Sequence, residues 1–485
     1  MTLCLLTTVV ALLLVLSIHL HQDVKYWQHL EEVAEKERSA RLSWEEYSGK
    51  VKKEAETQIS EISKERQHLL TKSAKNCEPC NHKCPPCARC HTPNCPKCKE
   101  CTPCDTKASG GSSSTSSLSL VSSSRSSDDI DPKTGVSFKI FVYDLPVEFH
   151  SELKKQQRRC VSDQYGTEIR IHEDLLKSPI RTRNPEEADF FYVPIYGECY
   201  LFRENQKSSR EAMPNTNKWY RKALSIVVKD YPYWNRTQGR DHIWTFPGAR
   251  GPHIFKDWKR NIKKSIFLTP EGDRSLSEQF NTWKDIVIPG LEADQEFWSG
   301  KLRNQDFDRD IFAFFKGTIH NRGGKSYSRG LRIVLEKLFK DEKDIVFKEQ
   351  TPDCNRQCYK RMMRRSQFCL CPRGWSPWTL RAYQAMMVGC IPVVMADEIE
   401  FPYENSLDWT KLSVKIAEAD VNKTLEILRG IPQEVIEEKR EAIDKVWRMV
   451  AWQKPTKPGD AFHSVMKELE GKKRRMKLSS YTFWN

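Results

Sequence analysis

The sequence predicts an α/β protein built on parallel sheets with helices on both faces, and three observations support this class. Short apolar runs alternate with amphipathic helical stretches from about residue 137 onward. The runs are continuous, as expected for strands that are buried on both faces. The chain has 485 residues, which is enough for two such lobes and additional segments.

Eight apolar runs are the predicted strands. They are FKIFVYDLP, ADFFYVPIY, DHIWTFPG, SIFLTP, IFAFFKGT, DIVFK, FCLCPRG and CIPVVMA. The stretch KDIVIPGL, residues 284–291, is the predicted junction between lobes. It divides the body into an N-terminal lobe at 137–290 and a C-terminal lobe at 291–485, which ends in a helix and a tail. Ligands of such sheets bind beyond the carboxyl ends of the strands.

The charge balance favours anionic partners. The chain has 79 Lys and Arg against 65 Asp and Glu, a formal net charge of +14. Phosphates, acidic glycans and nucleic acid all fit this excess. No nucleic-acid module stands out in the sequence, so we do not predict a nucleic-acid partner.

The N-terminus predicts a secretory route. Leu3 to Leu20 is an uncharged apolar stretch whose length approaches a hydrocarbon core of ~30 Å. It is a signal anchor over residues 1–20 or a cleaved signal peptide, and we favour the anchor because no clean cleavage site follows. The glycosylation sequons at Asn235 and Asn422 are compatible with a secretory lumen.

The sequence of residues 21–76 predicts a charged helix with one narrow apolar stripe. This pattern is typical of a coiled-coil stalk or of a lone amphipathic helix. Residues 105–136 are a Ser-rich flexible linker.

Between stalk and linker, residues 77–104 are a second, cysteine-rich stalk. It contains nine cysteines: Cys77, Cys80, Cys84, Cys87, Cys90, Cys95, Cys98, Cys101 and Cys104. Zinc and disulfides both fit such a cluster. In an oxidising lumen we favour disulfides, and the odd number favours a bond to a second chain and hence a dimer.

The stretch SQFCLCPRGWSPWTLRAYQAMMVGCIPVVMADE, residues 366–398, predicts a phosphate site. A buried strand ends in a turn with Arg373 and Gly374, and a helix is predicted to begin near Ser376. A helix start leaves free N–H groups that bind diphosphate, and arginines pair with phosphate oxygens. The alternative is an ordinary βαβ unit with surface arginines.

Several motifs occur in the order seen in the exostosin family of glycosyltransferases, glycosyltransferase family 47. They are IFVYDLP, RTRNPEEADFFYVPIY, YPYWNRTQGRDH, FFKG…YSRG, FCLCPRGWSPW, GCIPVV and KPGDAFH. Over residues 138–465 the chain resembles most the plant-type members that elongate the xylan backbone. The resemblance implies a GT-B fold, two Rossmann-like lobes facing a cleft, with the acceptor in the N-terminal lobe and the nucleotide sugar in the C-terminal lobe. It also implies a single-pass type II Golgi membrane enzyme with a lumenal body, which uses a UDP-sugar with inversion on a polysaccharide or glycoprotein glycan.

The sequence departs from that family at two positions. Gln384 in RAYQA stands where the family helix carries Glu, and we expect Gln384→Glu to be tolerated. Arg373 agrees with animal exostosins and differs from the CPLGW of xylan-type members. The substitution at Gln384 keeps open a second function, a non-catalytic glycan-binding or scaffolding subunit of a synthase complex.

A transferase of this kind needs positive charge for the leaving nucleoside diphosphate and a base for the acceptor hydroxyl. The predicted donor-binding residues are Lys316, Arg329, Arg373, Gly374, Ser376, Arg381, Gln384 and Asp397. The base candidates, predicted at strand ends, are Asp241, His242, Glu198 and Asp144. Any of these could instead be a surface charge, and His242 could be a core histidine.

A metal-dependent reaction is the other mechanism we considered, because DFDRD, residues 306–310, contains Asp-x-Asp twice. The motif precedes an apolar strand rather than following one, which favours a solvated turn. We therefore predict no divalent metal and no other cofactor beyond the UDP-sugar substrate.

Overall fold

The computed structural model describes residues 135–478 except 157–159, 162, 276–279, 293, 295–296, 298–299, 305–307, 322–323, 350–351 and 353. The predicted membrane anchor, the helical stalk, the cysteine-rich stalk and nearly all of the linker lie outside these residues. Within the described part of the chain, no helix combines the length and apolarity needed to cross a membrane.

The first sheet has six parallel strands. Their bounds are Ile140–Val142 (β1), Arg181–Thr182 (β2), Phe190–Tyr192 (β3), His242–Thr245 (β4), Ile266–Thr269 (β5) and Ile286–Val287 (β6). The strand order is β2-β1-β3-β4-β5-β6. Register places Phe191 opposite His242 and Ile243 opposite Ile266.

The second sheet has five parallel strands. They are Ile311–Lys316 (β7), Ile345–Lys348 (β8), Ser366–Pro372 (β9), Ile391–Met395 (β10) and Val414–Lys415 (β11). The order is β11-β10-β9-β7-β8, with Ile391 opposite Phe368. Two parallel sheets with interleaved helices confirm the predicted fold class.

Helices connect the strands in both lobes. The α-helices of the first lobe are Ser151–Gln156 (α1), Thr167–Lys177 (α2), Gly197–Lys207 (α3), Ser209–Asp230 (α4), Tyr233–Thr237 (α5) and Trp258–Asn261 (α6). Those that follow are Leu331–Leu338 (α7), Arg356–Arg365 (α8), Leu380–Met387 (α9), Trp409–Leu412 (α10), Thr424–Arg429 (α11), Gln433–Val446 (α12) and Ala461–Leu478 (α13).

All eight predicted apolar runs contain strands. The three strands without a predicted run, β2, β6 and β11, have two residues each and lie at sheet edges. The helix after β9 begins at Leu380, where the Thr379 side chain accepts from the Arg381 N–H (3.4 Å). The prediction that this helix begins near Ser376 is therefore wrong by about one turn.

Alternate residues of the central strands pack into two cores. Ile243 and Ile266 belong to a core that continues into the second sheet, where it includes Leu370. Trp244 and Phe267 belong to an aromatic core on the opposite face of the first sheet. This alternation is the two-residue period of a strand with both faces buried. The first core thus joins the two sheets. The contact between Ser376, after β9, and Glu271, after β5, shows that the carboxyl edges of the two sheets meet at one cleft.

Helix α13 follows the second lobe in sequence and contacts both lobes. In the first lobe, the Ser137 hydroxyl donates to Glu470 (3.1 Å), and Lys473 pairs with Asp189 (2.9 Å). In the second lobe, the Tyr403 hydroxyl donates to the carbonyl of Ala461 (3.3 Å). The predicted boundary at 290/291 falls between β6 and β7, and this helix bridges the two sides.

Three disulfides crosslink the described residues. They join Cys160 to Cys199, Cys354 to Cys358, and Cys369 to Cys390. The first fixes the start of α3, the second lies at the start of α8, and the third ties β9 to the residue before β10. Stable disulfides form in oxidising compartments and are rare in reducing ones.

Candidate active site

The carboxyl ends of β7, β9 and β10 bring the predicted donor-binding residues to one edge of the second sheet. Lys316 is the last residue of β7 and is buried. Arg373 and Gly374 follow β9, and Asp397 follows β10. Because parallel strands share one carboxyl edge, residues far apart in sequence meet here.

A cavity of about 750 Å³ opens at this edge. Its lining includes Lys316, Arg381 and Gln384. The Arg381 guanidinium lies 4.4 Å from the centroid of the Phe315 ring, and its Nε donates to the Tyr359 hydroxyl (3.2 Å). The cavity size suits a nucleotide-sized ligand.

Gln384 is fixed by a carboxylate on the other side of this cavity. Its Nε2 donates to Glu292 Oε2 at 2.6 Å, and Glu292 is buried. A glutamate at position 384 would bring two carboxylates together in a buried place, where only one of them can ionise without a large cost. The expectation that Gln384→Glu is tolerated is therefore corrected.

Arg332, which the sequence did not single out, connects the ends of β7 and β9. Its Nη1 donates to the Thr318 carbonyl and the Tyr327 hydroxyl, both at 2.6 Å. Its Nε donates to the Arg373 carbonyl at 3.0 Å. Burial, together with the nearby charge of Arg381, lowers the pKa of Arg332 to about 10. Arg332 stays cationic at neutral pH and adds to the positive charge of this edge.

Arg373 and Arg329 both pair with Glu418, a residue outside every predicted motif. Arg373 Nη1 and Arg329 Nη1 each lie 3.0 Å from a Glu418 carboxylate oxygen. The Glu418 N–H donates to Asp397 Oδ1 (2.8 Å). Burial opposes ionisation of Glu418, but hydrogen bonds from the arginines and from the Asp397 N–H hold its pKa below the usual range.

The backbone is strained at Ser328 and Arg329, in the segment before α7. Ser328 and Arg329 both adopt left-handed φ values, 57° and 49°, which are uncommon for residues with side chains. Such strain concentrates at binding and catalytic sites.

Two guanidinium nitrogens at this edge are buried without a hydrogen-bond partner among the described residues. They are Arg373 Nε and Arg381 Nη1. Buried unsatisfied donors are rare in folded proteins. Such nitrogens can donate to the oxygens of a bound anion such as a phosphate.

Across the cleft, Glu271 follows β5 of the first sheet. The Ser376 hydroxyl donates a hydrogen bond to its Oε2, while Oε1 is buried and has no partner among the described residues. Burial, with help from the negative charge of Asp273, raises the pKa of Glu271 to about 8, although Ser376 and Arg373 act in the opposite direction. Glu271 thus has a free oxygen and a pKa close to neutrality, as a general base needs.

The predicted candidate Glu198 lies in the first turn of α3, which follows β3 in the first lobe. Burial raises its pKa to about 7, partly offset by the charge of Arg250. A second buried carboxyl, Glu168, accepts from the Gly197 N–H (3.0 Å) at the start of the same helix. Burial and the neighbouring Glu198 raise the pKa of Glu168 well above its usual range. The first-lobe edge is therefore rich in carboxyls that retain protons.

The structure does not bring two of the other base candidates to this place. Asp241 and His242 lie at the amino end of β4, away from the carboxyl edge. There the His242 Nδ1 is 2.8 Å from Asp241 Oδ1, and its Nε2 is 2.7 Å from the Tyr143 hydroxyl, inside the aromatic core. Their expected place at the cleft is wrong, because these residues begin the strand. Asp144 does follow β1, but its side chain is exposed.

The described part of the DFDRD motif lies before β7, also at an amino end. Asp310 accepts from Arg365 Nε at 2.8 Å, and Asp308 is exposed. Asp306 lies outside the described residues.

The four residues missed from sequence are Glu271, Glu292, Arg332 and Glu418. A signal was available for Glu271, because it comes directly after the predicted strand SIFLTP. Nothing local marks Glu418, which lies 45 residues along the chain from its partner Arg373.

Two parallel sheets, one followed by buried carboxyls and the other by arginines with nitrogens unsatisfied among the described residues, fit a two-lobed enzyme of the GT-B type. Comparison with known proteins narrows this class. The Exostosin GT47 domain matches residues 134–431. The chain belongs to the exostosin family of glycosyltransferases, which confirms the resemblance seen in the motifs.

Curated relatives extend over most of the chain. "Probable beta-1,4-xylosyltransferase IRX10" of Arabidopsis thaliana is 31% identical over 365 residues, covering 72% of this chain and 86% of that protein. "Probable glucuronosyltransferase 47 A" of Physcomitrium patens is 31% identical over 366 residues, covering 72% and 79%.

A solved glycosyltransferase from Rickettsia africae ESF-5 aligns at 11% identity and a TM-score of 0.33, covering 70% of this chain and 99% of that chain. The fold assignment rests on the strand order rather than on this alignment.

Proposed function

We propose that this protein transfers a sugar from a UDP-sugar to a glycan acceptor with inversion, as a xylan-type β-1,4-xylosyltransferase. The observation that carries the proposal is a set of buried atoms without a hydrogen-bond partner among the described residues: a carboxylate oxygen of Glu271, after β5, and guanidinium nitrogens of Arg373 and Arg381 at the second-lobe edge. The Glu271 carboxylate can accept a proton, and the two guanidinium groups can donate hydrogen bonds to a phosphate. The choice of xylose is supported by the name of the Arabidopsis thaliana relative, a probable beta-1,4-xylosyltransferase, whereas the Physcomitrium patens relative is named a probable glucuronosyltransferase.

The reaction is a single displacement. An acceptor hydroxyl attacks the anomeric carbon, and its proton passes to the Glu271 carboxylate. The bond from that carbon to the diphosphate oxygen breaks, and the negative charge that develops is stabilised by Arg381 and Arg373. The buried place of these groups strengthens their effect on the developing charges.

Incubation of the full-length protein with a panel of UDP-sugars and short xylo-oligosaccharides tests the proposal. We expect transfer from UDP-xylose, with the anomeric configuration of the product opposite to that of the donor. Retention of configuration would contradict the single displacement. Transfer only from another UDP-sugar would contradict the choice of xylose.

The alternative function, a non-catalytic glycan-binding or scaffolding subunit, keeps some support from Gln384, whose amide is held by Glu292. A scaffold would neither hydrolyse nor transfer from any donor alone and would act only with a synthase partner. The same incubation, repeated with and without such a partner, separates the two functions.

We expect turnover to be independent of divalent metal. Charge on the leaving diphosphate would be balanced by arginines of the second-lobe edge. Complete loss of transfer in EDTA, restored by manganese or magnesium, would contradict this expectation.

For location we propose the Golgi lumen, with a type II anchor. The three disulfides of the catalytic body fit an oxidising compartment. The side chains of Asn235 and Asn422 are exposed, as a glycosylation acceptor must be. Glycosidase treatment should shift the mobility of the protein, and Asn235→Gln and Asn422→Gln should each remove one step of the shift.

We propose a disulfide-linked dimer through the cysteines of residues 77–104. Non-reducing electrophoresis should show a dimer that thiol reagents collapse. Stoichiometric zinc in a monomeric, reduced protein would overturn this proposal.

A further inference from the structure

Trp375 is an exposed indole at the mouth of the cleft. It is 61% exposed, whereas Trp378, three residues later, is 6% exposed. Among tryptophans whose side chains are described, only Trp283 is similarly exposed, at 57%. Leaving so large an aromatic group in water gives up the free energy of its burial, so an exposed indole at a ligand site suggests a binding role.

The indole is held in place rather than loosely displayed. The Gly374 N–H donates to the Ser376 carbonyl (3.0 Å), a tight turn with Trp375 at its apex. The Trp375 and Tyr327 rings pack edge to face, with ring centroids 5.2 Å apart and ring planes at 65°. Tyr327 is itself fixed by Arg332. A platform supported in this way loses little conformational freedom when a ligand stacks on it.

The neighbours of Trp375 in sequence define where it lies in the reaction. Ser376 contacts Glu271, the proposed base, and Arg373 contacts Glu418 at the second-lobe edge. Trp375 therefore belongs to the turn that carries both the hydroxyl contacting the proposed base and an arginine of the second-lobe edge. An acceptor sugar that brings its hydroxyl to Glu271 would lie close to this turn.

The chemistry of a pyranose fits such a platform. A pyranose ring has a face of C–H bonds that packs on an aromatic face, and a rim of hydroxyls that needs hydrogen-bonding groups. Arg329 and Asp397 are exposed polar groups beside the same turn. The cavity of about 750 Å³ can take the nucleotide, and Trp375 is not among the described residues that line it.

We propose that Trp375, backed by Tyr327, is the stacking platform for a sugar ring of the glycan acceptor. This proposal rests on the proposed function, because it assumes a glycan as acceptor, and it deepens that function by naming an acceptor-binding residue. Equilibrium binding of oligosaccharide needs no turnover, so the platform can be tested separately from the reaction.

The test measures affinity of the full-length protein for xylohexaose, cellohexaose and, separately, UDP, by calorimetry. Trp375→Ala is expected to weaken hexasaccharide binding by roughly 5- to 100-fold, the effect that loss of an aromatic side chain has on a nucleobase stacked on it. Trp375→Phe should retain most of the affinity. UDP affinity should stay within about twofold of wild type, since the nucleotide binds elsewhere.

Trp283→Ala is the matched control, because Trp283 is nearly as exposed but precedes β6 at the amino edge of the first sheet. It should change neither affinity. Weaker UDP binding in Trp375→Ala with unchanged hexasaccharide binding would assign the indole to the nucleobase and overturn the platform. Equal affinities in wild type and Trp375→Ala, or no binding of either hexasaccharide by wild type, would also overturn it.

Failure of the platform and failure of the proposed function give different results. Trp375-dependent hexasaccharide binding without transfer from any UDP-sugar would support the platform and contradict the transferase reaction. Transfer with an acceptor KM that Trp375→Ala leaves unchanged would contradict the platform alone.

Discussion

The two sheet edges that meet at the cleft are built for opposite charges. The first-lobe edge buries carboxyls, and burial raises the pKa of Glu198 to about 7 and that of Glu271 to about 8. The second-lobe edge buries guanidinium groups, among which Arg332 and Arg381 pack on the Phe315 ring. The folding pattern of the two lobes is the same, so the difference lies in side chains that follow the strands.

This difference shows how two lobes of the same fold can perform different parts of a group transfer. Burial makes a carboxylate a better proton acceptor, because it destabilises the charged form. Arginine stays charged when buried and offers planar donors to phosphate oxygens. One lobe can therefore activate the nucleophile while the other stabilises the leaving group.

Removing the proton acceptor should have the largest effect. Glu271→Gln should lower kcat by roughly 100- to 10,000-fold, the range that general-base catalysis supplies, with UDP affinity little changed. Initial rates beside calorimetry test this. Glu198→Gln is the comparison, because Glu198 is also buried with a raised pKa but lies in α3, after β3, rather than directly after β5. A large loss in Glu198→Gln beside near-normal Glu271→Gln would move the base to Glu198.

Removing positive charge from the second-lobe edge should have the second-largest effect. Arg381→Ala loses a charged donor worth ~1.5–3 kcal/mol, so UDP affinity should fall by roughly 10- to 100-fold. Arg381→Lys should recover only part of this, because lysine lacks the planar fork. Arg365→Ala serves as control, since Arg365 pairs with Asp310 at the amino edge. Equal UDP affinity in Arg381→Ala and Arg365→Ala would place the diphosphate elsewhere.

The contact between Gln384 and Glu292 tests the difference between the two edges, because it places a carboxylate beside the arginines of the second-lobe edge. Gln384→Glu should lower the free energy of unfolding by roughly 1–3 kcal/mol at neutral pH, since two buried carboxylates then meet. Adding Glu292→Gln should restore most of the loss. Thermal unfolding of both single variants and the double variant gives the coupling. Additive effects would show that the two side chains do not interact.

The smallest effect should come from Arg329. Its side chain is 53% exposed, so its ion pair with Glu418 should contribute only about 0–1 kcal/mol to stability. Arg373→Ala should cost more, because Arg373 is buried on the same carboxylate. Denaturant unfolding of the two variants compares them directly, and a larger loss in Arg329→Ala would contradict the burial argument.

Much of the fold is readable from the sequence, because strands buried on both faces must be continuous apolar runs. The two-residue edge strands escape such reading, since pairing with one neighbour needs no apolar run. The candidate site was predicted unevenly. Lys316, Arg373 and Arg381 follow recognisable strands, whereas Glu418 meets Arg373 only through tertiary packing. Asp241 and His242 were misplaced because a strand's direction within the sheet decides which of its ends meets the cleft.

The most direct test of the central claim is the pH dependence of kcat/KM for wild type and Ser376→Ala. Glu271 must be ionised to accept a proton, so the rate should rise about tenfold per pH unit and level off near its pKa of about 8. The Ser376 hydrogen bond stabilises the charged carboxylate and lowers that pKa. Its loss should move the rising limb to higher pH, and Glu271→Gln should abolish the limb. A rate independent of pH between about 6 and about 9, or the same limb in Glu271→Gln, would contradict the assignment of Glu271 as the base.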